Sequence, residues 1–384
     1  MKLHLFIVIL LIHLMRTVQE EKEELTNTEE DQQLFVDSYL KNFSNFTFSY
    51  DIDFAPCSVR IPGFNSLGLM IIYLIVFVVS MIGNGVVIFV VCSMKKRRAS
   101  TDVYLMHLAI ADLLFCLTLP FWATESHFGW IYGNFLCKLL SGLQESSVYG
   151  GVFLLACISV DRYFAIVRAT RVLSSHRHLV SVVCSVVWLV ASVLSLPLAI
   201  KRESMYAEEL DENICYENLT GESMDQWRVS MRVLRHTLGF FLPLTVMAIC
   251  YSCTVVKLFH SRNHQKHKAM RVILAVVLAF IFCWLPHNIT VLTDTLIKGG
   301  SLKLEECENL YRVELMLKVT KVLAYMHCAV NPVLYAFIGE KFRNQLLLAL
   351  YKHGLISKRI QVAYRTDYAS SNGSIRSRNT SVTL

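Results

Sequence analysis

Residues 152–163 read VFLLACISVDRY, an apolar run that ends in an acid, an arginine and a tyrosine. Further basic residues follow at Arg168, Arg171 and Arg177. Charge at the end of an apolar helix is costly in a membrane unless it reaches water or performs a task. The stretch therefore indicates a helix that leaves a membrane at Asp161, and its meaning depends on the spans around it.

The whole chain is apolar enough to be a membrane protein. Of its 384 residues, 54% are hydrophobic and 17% are charged, and the mean hydropathy is +0.46. Soluble domains carry about 25% charged residues. Because a helix needs roughly 20 apolar residues to cross the hydrocarbon, the apolar runs predict an all-α membrane protein with a bundle of seven transmembrane helices. The spans are expected near residues 67–93, 103–124, 134–163, 178–199, 231–259, 270–297 and 315–338.

Lysine and arginine in the short loops predict the orientation of the bundle. Basic clusters at residues 95–98, 168–177, 257–271 and 341–343 follow the first, third, fifth and seventh spans. Cytoplasmic loops carry an excess of these residues, so we expect an extracellular N-terminus and a cytoplasmic C-terminus in the plasma membrane. The net charge of +7 then reflects topology, and no nucleic-acid partner is expected.

The segments outside the bundle, which we take as residues 57–338, differ in composition. Residues 1–19 join a lysine to a short apolar run, which favours a signal peptide over a retained segment. Residues 20–56 carry ten acidic residues against two lysines and predict an acidic extracellular arm without stable structure. Residues 339–352 predict an amphipathic helix on the surface of the membrane lipid, and residues 353–384 a cytoplasmic tail.

Short motifs in the arm, one loop and the tail predict modification. Asn42, Asn45 and Asn218 head glycosylation sequons on the expected outer side. Hydroxyl side chains in the tail form either a solvated surface or a phosphorylation cluster, in which added charge recruits a partner. The residues of this cluster are Ser370, Ser371, Ser374, Ser377, Thr380, Ser381 and Thr383.

Four of the twelve cysteines fall on the expected outer side, namely Cys57, Cys137, Cys215 and Cys307. Four cysteines permit three pairings, and the sequence pattern leaves all three open. The other eight lie in spans, where cysteine acts as a small apolar residue. No phosphate loop, metal-ligand spacing or nucleophile elbow appears, so neither an enzyme nor a bound cofactor is expected.

Motifs in successive spans resemble those of the rhodopsin-like G-protein-coupled receptors, and the resemblance covers residues 57–355. The residues that carry it are Asn84, Leu108, Ala109, Ala111, Asp112, Asp161, Arg162, Tyr163, Trp188, Pro243, Tyr251, Cys283, Trp284, Leu285, Pro286, Asn331, Pro332 and Tyr335. The resemblance implies that Arg162 contacts an inhibitory heterotrimeric G protein. It also implies receptor kinases and arrestin as partners.

Within that family, the resemblance assigns roles to several spans. Trp284 and Pro286 would form a pivot in the sixth span, and Tyr251 and Tyr335 would hold the active state. Family members bind sodium near the residue that corresponds to Asp112. Here the expected neighbours offer few oxygen ligands for a hard cation, so at most a weak sodium site is expected.

Finer motifs look like those of the CXC chemokine receptors of the interleukin-8 type. They include TLP at 118–120, WIYG at 130–133 and DRYFAIV at 161–167. The resemblance implies a basic CXC chemokine as ligand, held by the acidic arm and by the helix bundle, with Cys137 bridged to Cys215 and Cys57 to Cys307. Arm residues expected to contact the ligand are Tyr39 and Tyr50, which are candidates for sulfation, and Asp51 and Asp53.

One position departs from the chemokine-receptor pattern. These receptors usually carry glutamate eleven residues before the proline of Asn-Pro-x-x-Tyr, and here that residue is Lys321. A cation would repel a basic ligand terminus, so we expect the acid that binds this terminus to be Asp294 first, or else Glu314 or Glu125.

The sequence is compatible with two functions. One is a signalling receptor that drives calcium release and leukocyte chemotaxis, and the other is an atypical receptor that scavenges chemokine without G-protein signalling. The intact Asp161-Arg162-Tyr163 segment favours the first.

Overall fold

The structure is a computed structural model that describes residues 65–93, 100–168, 177–208, 211–217, 231–259, 264–298, 307–338 and 340–357. The expected signal peptide, the acidic arm and most of the tail lie outside these residues. The predicted site residues that also lie outside them are Tyr39, Asn42, Asn45, Tyr50, Asp51, Asp53, Cys57, Asn218, Ser370, Ser371, Ser374, Ser377, Thr380, Ser381 and Thr383.

The described chain is helical apart from one hairpin. In chain order its elements are α1 (Ser66–Ser93), α2 (Ser100–Leu117), α3 (Leu119–Phe128), α4 (Gly133–Ile166), α5 (Arg177–Lys201), β1 (Arg202–Ala207), β2 (Glu212–Glu217), a π-helical turn (Thr237–Phe241), α6 (Leu242–Phe259), α7 (His264–Lys298), α8 (Cys307–Tyr325), α9 (His327–Ile338) and α10 (Glu340–Lys352). Residues 231–236 are also helical and lead into the π-helical turn.

Six stretches within the described ranges are long and apolar enough to cross a membrane. They are Ser66–Ser93, Ser100–Phe128, Gly133–Ile166, Leu179–Lys201, Met231–Lys257 and Ile273–Ile297. The seventh span is α8 followed by α9, with a turn at Met326. It is the most polar of the seven, because α8 carries five charged residues, Glu308, Arg312, Glu314, Lys318 and Lys321. The bundle therefore has the seven helical segments expected from the sequence.

The second span is broken between α2 and α3. Pro120 has no backbone N–H and cannot continue the helical hydrogen-bond ladder of α2. The Thr118 hydroxyl instead donates to the carbonyl of Phe115 at 2.7 Å. The Thr-x-Pro sequence thus turns the outer part of this span into the separate helix α3.

The third span, α4, lies at the centre of the bundle. It packs against α2, α5, α6 and β1. Leu154, Leu155 and Ile158 on this helix are almost wholly buried, whereas α1 and α5 expose apolar side chains such as Ile82 and Leu189. Apolar side chains on the outside of an apolar bundle are the arrangement that a lipid environment favours.

An antiparallel hairpin covers one end of the bundle, which we call the hairpin end. Strands β1 and β2 pair with Ser204 opposite Cys215. A disulfide joins Cys215 to Cys137 near the start of α4, and Trp130 donates its backbone N–H to the Asn213 carbonyl at 2.6 Å. This confirms the predicted Cys137–Cys215 pairing. The Cys57–Cys307 pairing stays a prediction, since Cys57 lies outside the described residues.

Candidate functional site

A cavity of about 500 Å³ lies at the hairpin end. Its walls come from α2, α3, α4, α5, both strands, the fifth span, α7 and α8. Ligand sites in proteins commonly occupy cavities of roughly 300–1,000 Å³ with a few convergent polar groups. The size and position therefore make this cavity the candidate ligand site.

The cavity lining is unusually rich in charge for a helix bundle of this composition. Its charged residues are Glu125, Glu145, Glu217 and Glu314, and Arg202, Arg232, Arg235, Lys318 and Lys321. Ionisable side chains within membrane spans are rare, face the interior or a water-filled cavity, and mark functional sites. Charge, rather than apolar contact alone, is therefore expected to select the ligand.

Two ion pairs organise the fifth span around this cavity. Arg235 Nε lies 2.8 Å from Glu145 Oε1 on α4, and Arg232 lies 2.8 Å from Asp294 Oδ2 on α7. Asp294 is only 6% exposed and is absent from the described cavity lining. The Asp294 carboxylate is thus bound to Arg232 and does not face the cavity. Glu314 and Lys321 do line the cavity. The ligand contacts expected of all three residues stay predictions.

Glu125 and Arg202 fix the hairpin at the cavity wall. Glu125 Oε1 accepts the backbone N–H of Cys215 at 2.9 Å. Arg202 donates from its guanidinium to the Cys215 carbonyl at 2.8 Å. Burial lowers the pKa of the Arg202 guanidinium from its ordinary value, because desolvation disfavours the charged form.

A second, smaller cavity of about 110 Å³ adjoins Trp284 on α7. His236 Nδ1 and Asn288 Oδ1 are 2.6 Å apart in its wall. Trp284 stacks on Phe280 with ring centroids 6.0 Å apart and contacts His327 at 5.3 Å. Trp284 lines both cavities, so it joins the candidate ligand site to His327 deeper in the bundle.

The polar centre joins the first, second and seventh spans. Asn331 donates to Asp112 Oδ2 at 2.8 Å, and His327 Nε2 lies 3.6 Å from Asp112 Oδ1. Asn84 donates to the Cys328 carbonyl at 2.9 Å. The side chains facing Asp112 are an amide N–H₂, an imidazole and a thiol, which fit sodium poorly because a hard cation needs several oxygen ligands.

At the opposite end of the bundle, Arg162 is bound by the acid next to it. Its guanidinium donates to Asp161 Oδ2 at 2.5 Å, and the Ser100 hydroxyl donates to the same carboxylate at 3.1 Å. Asp161 is 3% exposed. Ser100 starts α2, so this carboxylate also links the second and third spans. Tyr163 follows as a half-buried side chain against Phe164.

Two buried tyrosines, Tyr251 and Tyr335, differ in the surroundings of their hydroxyls. Tyr251 is 6% and Tyr335 is 3% exposed. The Tyr251 hydroxyl lies beside Ser159 of α4, whereas the Tyr335 hydroxyl has no hydrogen-bond partner within the described part of the chain. A buried unsatisfied polar group is costly and requires an explanation.

Sequence reasoning missed the ion-paired residues Glu145, Arg232 and Arg235 and the hairpin arginine Arg202. Glu145, Arg232 and Arg235 could have been found from the sequence, because a charged residue inside an otherwise apolar span indicates a functional site. Their pairing was hidden, because Arg235 and Glu145 are 90 residues apart in the chain. The motif residues Trp284, Pro286, Asn331 and Pro332 lie in the sixth and seventh spans as expected.

Comparison with known proteins agrees with this architecture. The profile described as "7 transmembrane receptor (rhodopsin family)" matches residues 83–335. C-X-C chemokine receptor type 1 of Homo sapiens is 44% identical over 347 residues, which are 89% of this chain and 98% of the relative. The type 1 receptor of Oryctolagus cuniculus is 44% identical over 85% of this chain and 91% of its own length. The type 2 receptor of Macaca mulatta is 45% identical over 83% and 91%.

These findings confirm the seven-helix bundle and the family resemblance. The relatives are receptors and not enzymes. The spans and the family match together make the chain a multi-pass protein of the plasma membrane. The chain therefore belongs to the rhodopsin family of seven-transmembrane receptors and, within it, to the C-X-C chemokine receptors.

Proposed function

We propose that this chain is a cell-surface receptor that binds a CXC chemokine of the interleukin-8 type and activates inhibitory heterotrimeric G proteins. Activation would drive calcium release and leukocyte chemotaxis. The observation that carries the proposal is the charged 500 Å³ cavity at the hairpin end, which shares Trp284 with the smaller cavity. Such a cavity can bind a charged ligand, and Trp284 can pass a change in the cavity to His327 in the polar centre.

The ligand side of the proposal rests on charge. The arm carries ten acidic residues against two lysines, and opposite fields steer association of a basic chemokine. In this scheme the arm and the hairpin hold the body of the ligand while its N-terminal segment enters the cavity. Sulfation of Tyr39 and Tyr50 would add to the negative field. Glycosylation at Asn42, Asn45 and Asn218 would lie on the same, extracellular side.

The signalling side rests on Arg162 and the Tyr335 hydroxyl. A chemokine that prefers an open state shifts the bundle toward it, with the fifth and sixth spans moving about the Trp284–Pro286 pivot. Arg162 would leave Asp161 and contact the G protein. Tyr251 and Tyr335 would hold that state, in which Tyr335 would gain the hydrogen-bond partner that its hydroxyl lacks among the described residues.

Further partners follow on the side of Arg162, which we propose to be cytoplasmic. Helix α10 packs against α1 and α9 and would lie on membrane lipid. Receptor kinases would phosphorylate the tail cluster Ser370–Thr383, and the added charge would recruit arrestin. Sodium has no role in the proposed mechanism, because the amide, imidazole and thiol side chains around Asp112 are poor ligands for it.

A panel of CXC chemokines tests the proposal directly. Cells that display the receptor are assayed for calcium flux and for suppression of cAMP, with untransfected cells as control. We expect at least one CXC chemokine to give both responses. If no member of the panel changes calcium or cAMP in cells whose surface expression is verified by antibody, the proposal is refuted.

The same cells separate signalling from scavenging. A scavenger would bind and internalise labelled chemokine with no cAMP or calcium response. The hydrogen-bonded Asp161–Arg162 pair favours the signalling function, because that pair is the restraint an activating ligand would release.

A further inference from the structure

Lys321 is a cation with unused hydrogen-bond donors inside the ligand cavity. It lies on α8 and lines the cavity. Its ammonium group sits 5.5 Å from the centre of the Tyr325 ring. Among the described residues, no carboxylate oxygen lies within 4.0 Å of Lys321 Nζ and no group hydrogen-bonds to it. An ammonium offers three donors and no acceptor, so its donors face the cavity and can bind a group of the ligand.

Glu145, an acid of this cavity, is paired with Arg235. Glu125 accepts the Cys215 backbone N–H through Oε1. Its carboxylate attracts both Lys321 and Arg202 but forms an ion pair with neither. Glu314 lies seven residues before Lys321 on α8, which is two helical turns or about 10 Å along the axis. Within the ranges that the structure describes, no carboxylate therefore forms an ion pair with the ammonium of Lys321.

Arg202 adds a second unfilled donor to the same cavity. Its guanidinium bonds to the Cys215 carbonyl, but its Nε is buried and has no hydrogen-bond partner in the described chain. Glu217 faces it across the hairpin as its register partner without forming an ion pair. A buried, partly unsatisfied guanidinium is costly and favours an acceptor that arrives with the ligand.

We propose that Lys321 and Arg202 form a subsite for a carboxylate carried by the N-terminal segment of the chemokine ligand. The inference rests on the proposed function and goes beyond it, because it names the chemical group that enters the cavity. It also gives Lys321 a purpose where chemokine receptors usually carry glutamate: an acid there suits a cationic ligand group, whereas a lysine selects an anionic one. A charge pair formed in a desolvated site both adds affinity and rejects the wrong charge.

Matched ligands test the subsite. The probe is the chemokine that gives the largest calcium response in the panel, synthesised in pairs with glutamate or glutamine at each position before its first cysteine. At one position we expect the glutamate form to bind the wild-type receptor at least about tenfold more tightly. In Lys321→Gln the two forms should bind within about twofold of each other.

Two further variants make the test specific. Lys318 lines the same cavity one turn away, and Lys318→Gln should keep most of the preference for glutamate. Lys321→Glu should reverse it, so that a ligand with lysine at the same position binds more tightly than the glutamate form. Surface expression is measured for each variant so that misfolding is not mistaken for lost affinity.

The outcomes separate this inference from the proposed function. Equal binding of the glutamate and glutamine forms to the wild type at every position overturns the subsite while chemokine recognition stands. A preference that survives in Lys321→Gln, or that falls equally in Lys318→Gln, also overturns it. Absence of any chemokine response by surface-displayed wild type defeats the proposed function, and the subsite with it.

Discussion

A few buried charged residues hold the two ends of the bundle through hydrogen bonds and ion pairs. Arg162 is held by Asp161, and that carboxylate is held in turn by Ser100 on α2. Hydrogen bonds to charged groups contribute about 1.5–3 kcal/mol each. The end of the bundle that holds Arg162 is therefore stabilised by an acid whose partners come from two spans.

Removing that acid's charge should raise signalling without ligand. In Asp161→Asn, Arg162 loses a charged partner, so the balance between resting and active states should shift by about 1–2 kcal/mol. We expect basal suppression of cAMP to rise several-fold per displayed receptor. Ser100→Ala should give a smaller rise, and Ser93→Ala, whose hydroxyl bonds only within α1, should give none. Basal activity equal to wild type in Asp161→Asn would show that this pair does not restrain Arg162.

Among the elements, the helices followed from apolar runs, and Pro120 accounts for the division of the second span at Thr118. The division of the seventh span at Met326 and the π-helical turn Thr237–Phe241 in the fifth did not follow from the apolar runs. Hydropathy reports how much apolar surface a run buries, and it carries no information on local changes in the hydrogen-bond ladder. The hairpin β1–β2 also went unrecognised, because its pairing is held by tertiary contacts at Cys215 and Trp130.

The π-helical turn offers a direct test of packing in the fifth span. A Cβ added at Gly239 would lie 2.3 Å from Tyr149 Cε1 on α4, so the two helices would have to separate. We expect Gly239→Ala to destabilise the receptor by about 1–3 kcal/mol, measured as a lower Tm in detergent. Gly85→Ala is the control, because its Cβ meets nothing within 4 Å. Replacing Tyr149 by leucine in Gly239→Ala should restore part of the loss, and an unchanged Tm in the single variant would contradict this packing.

Across the whole chain, basic and acidic residues are concentrated in different segments. Basic residues of the chain cluster after the odd-numbered spans, whereas residues 20–56 are strongly acidic. The composition thus predicted the membrane, the orientation and the attraction for a basic ligand. It could not predict the cavity, because the ion pairs that shape its walls join residues distant in sequence, such as Glu145 and Arg235.

The acidic arm should make chemokine association depend on salt. The Debye length falls from about 8 Å at 0.15 M to about half that at 0.5 M, so long-range attraction should be screened. We expect the association rate constant to fall about threefold or more over this range, with a smaller change in the dissociation rate. A receptor that lacks residues 20–56 should bind more weakly and lose most of the salt dependence. Equal salt dependence with and without the arm would contradict a steering role.

In the proposed mechanism, a chemokine bound at the hairpin end releases Arg162 to a G protein at the opposite end. The decisive experiment compares chemokine-stimulated activation of an inhibitory G protein between the wild type and Arg162→Ala, with labelled-chemokine binding measured on the same cells. We predict activation by the wild type, and its loss in Arg162→Ala with binding retained. Chemokine binding without activation in the wild type, or full activation in Arg162→Ala, would contradict the account.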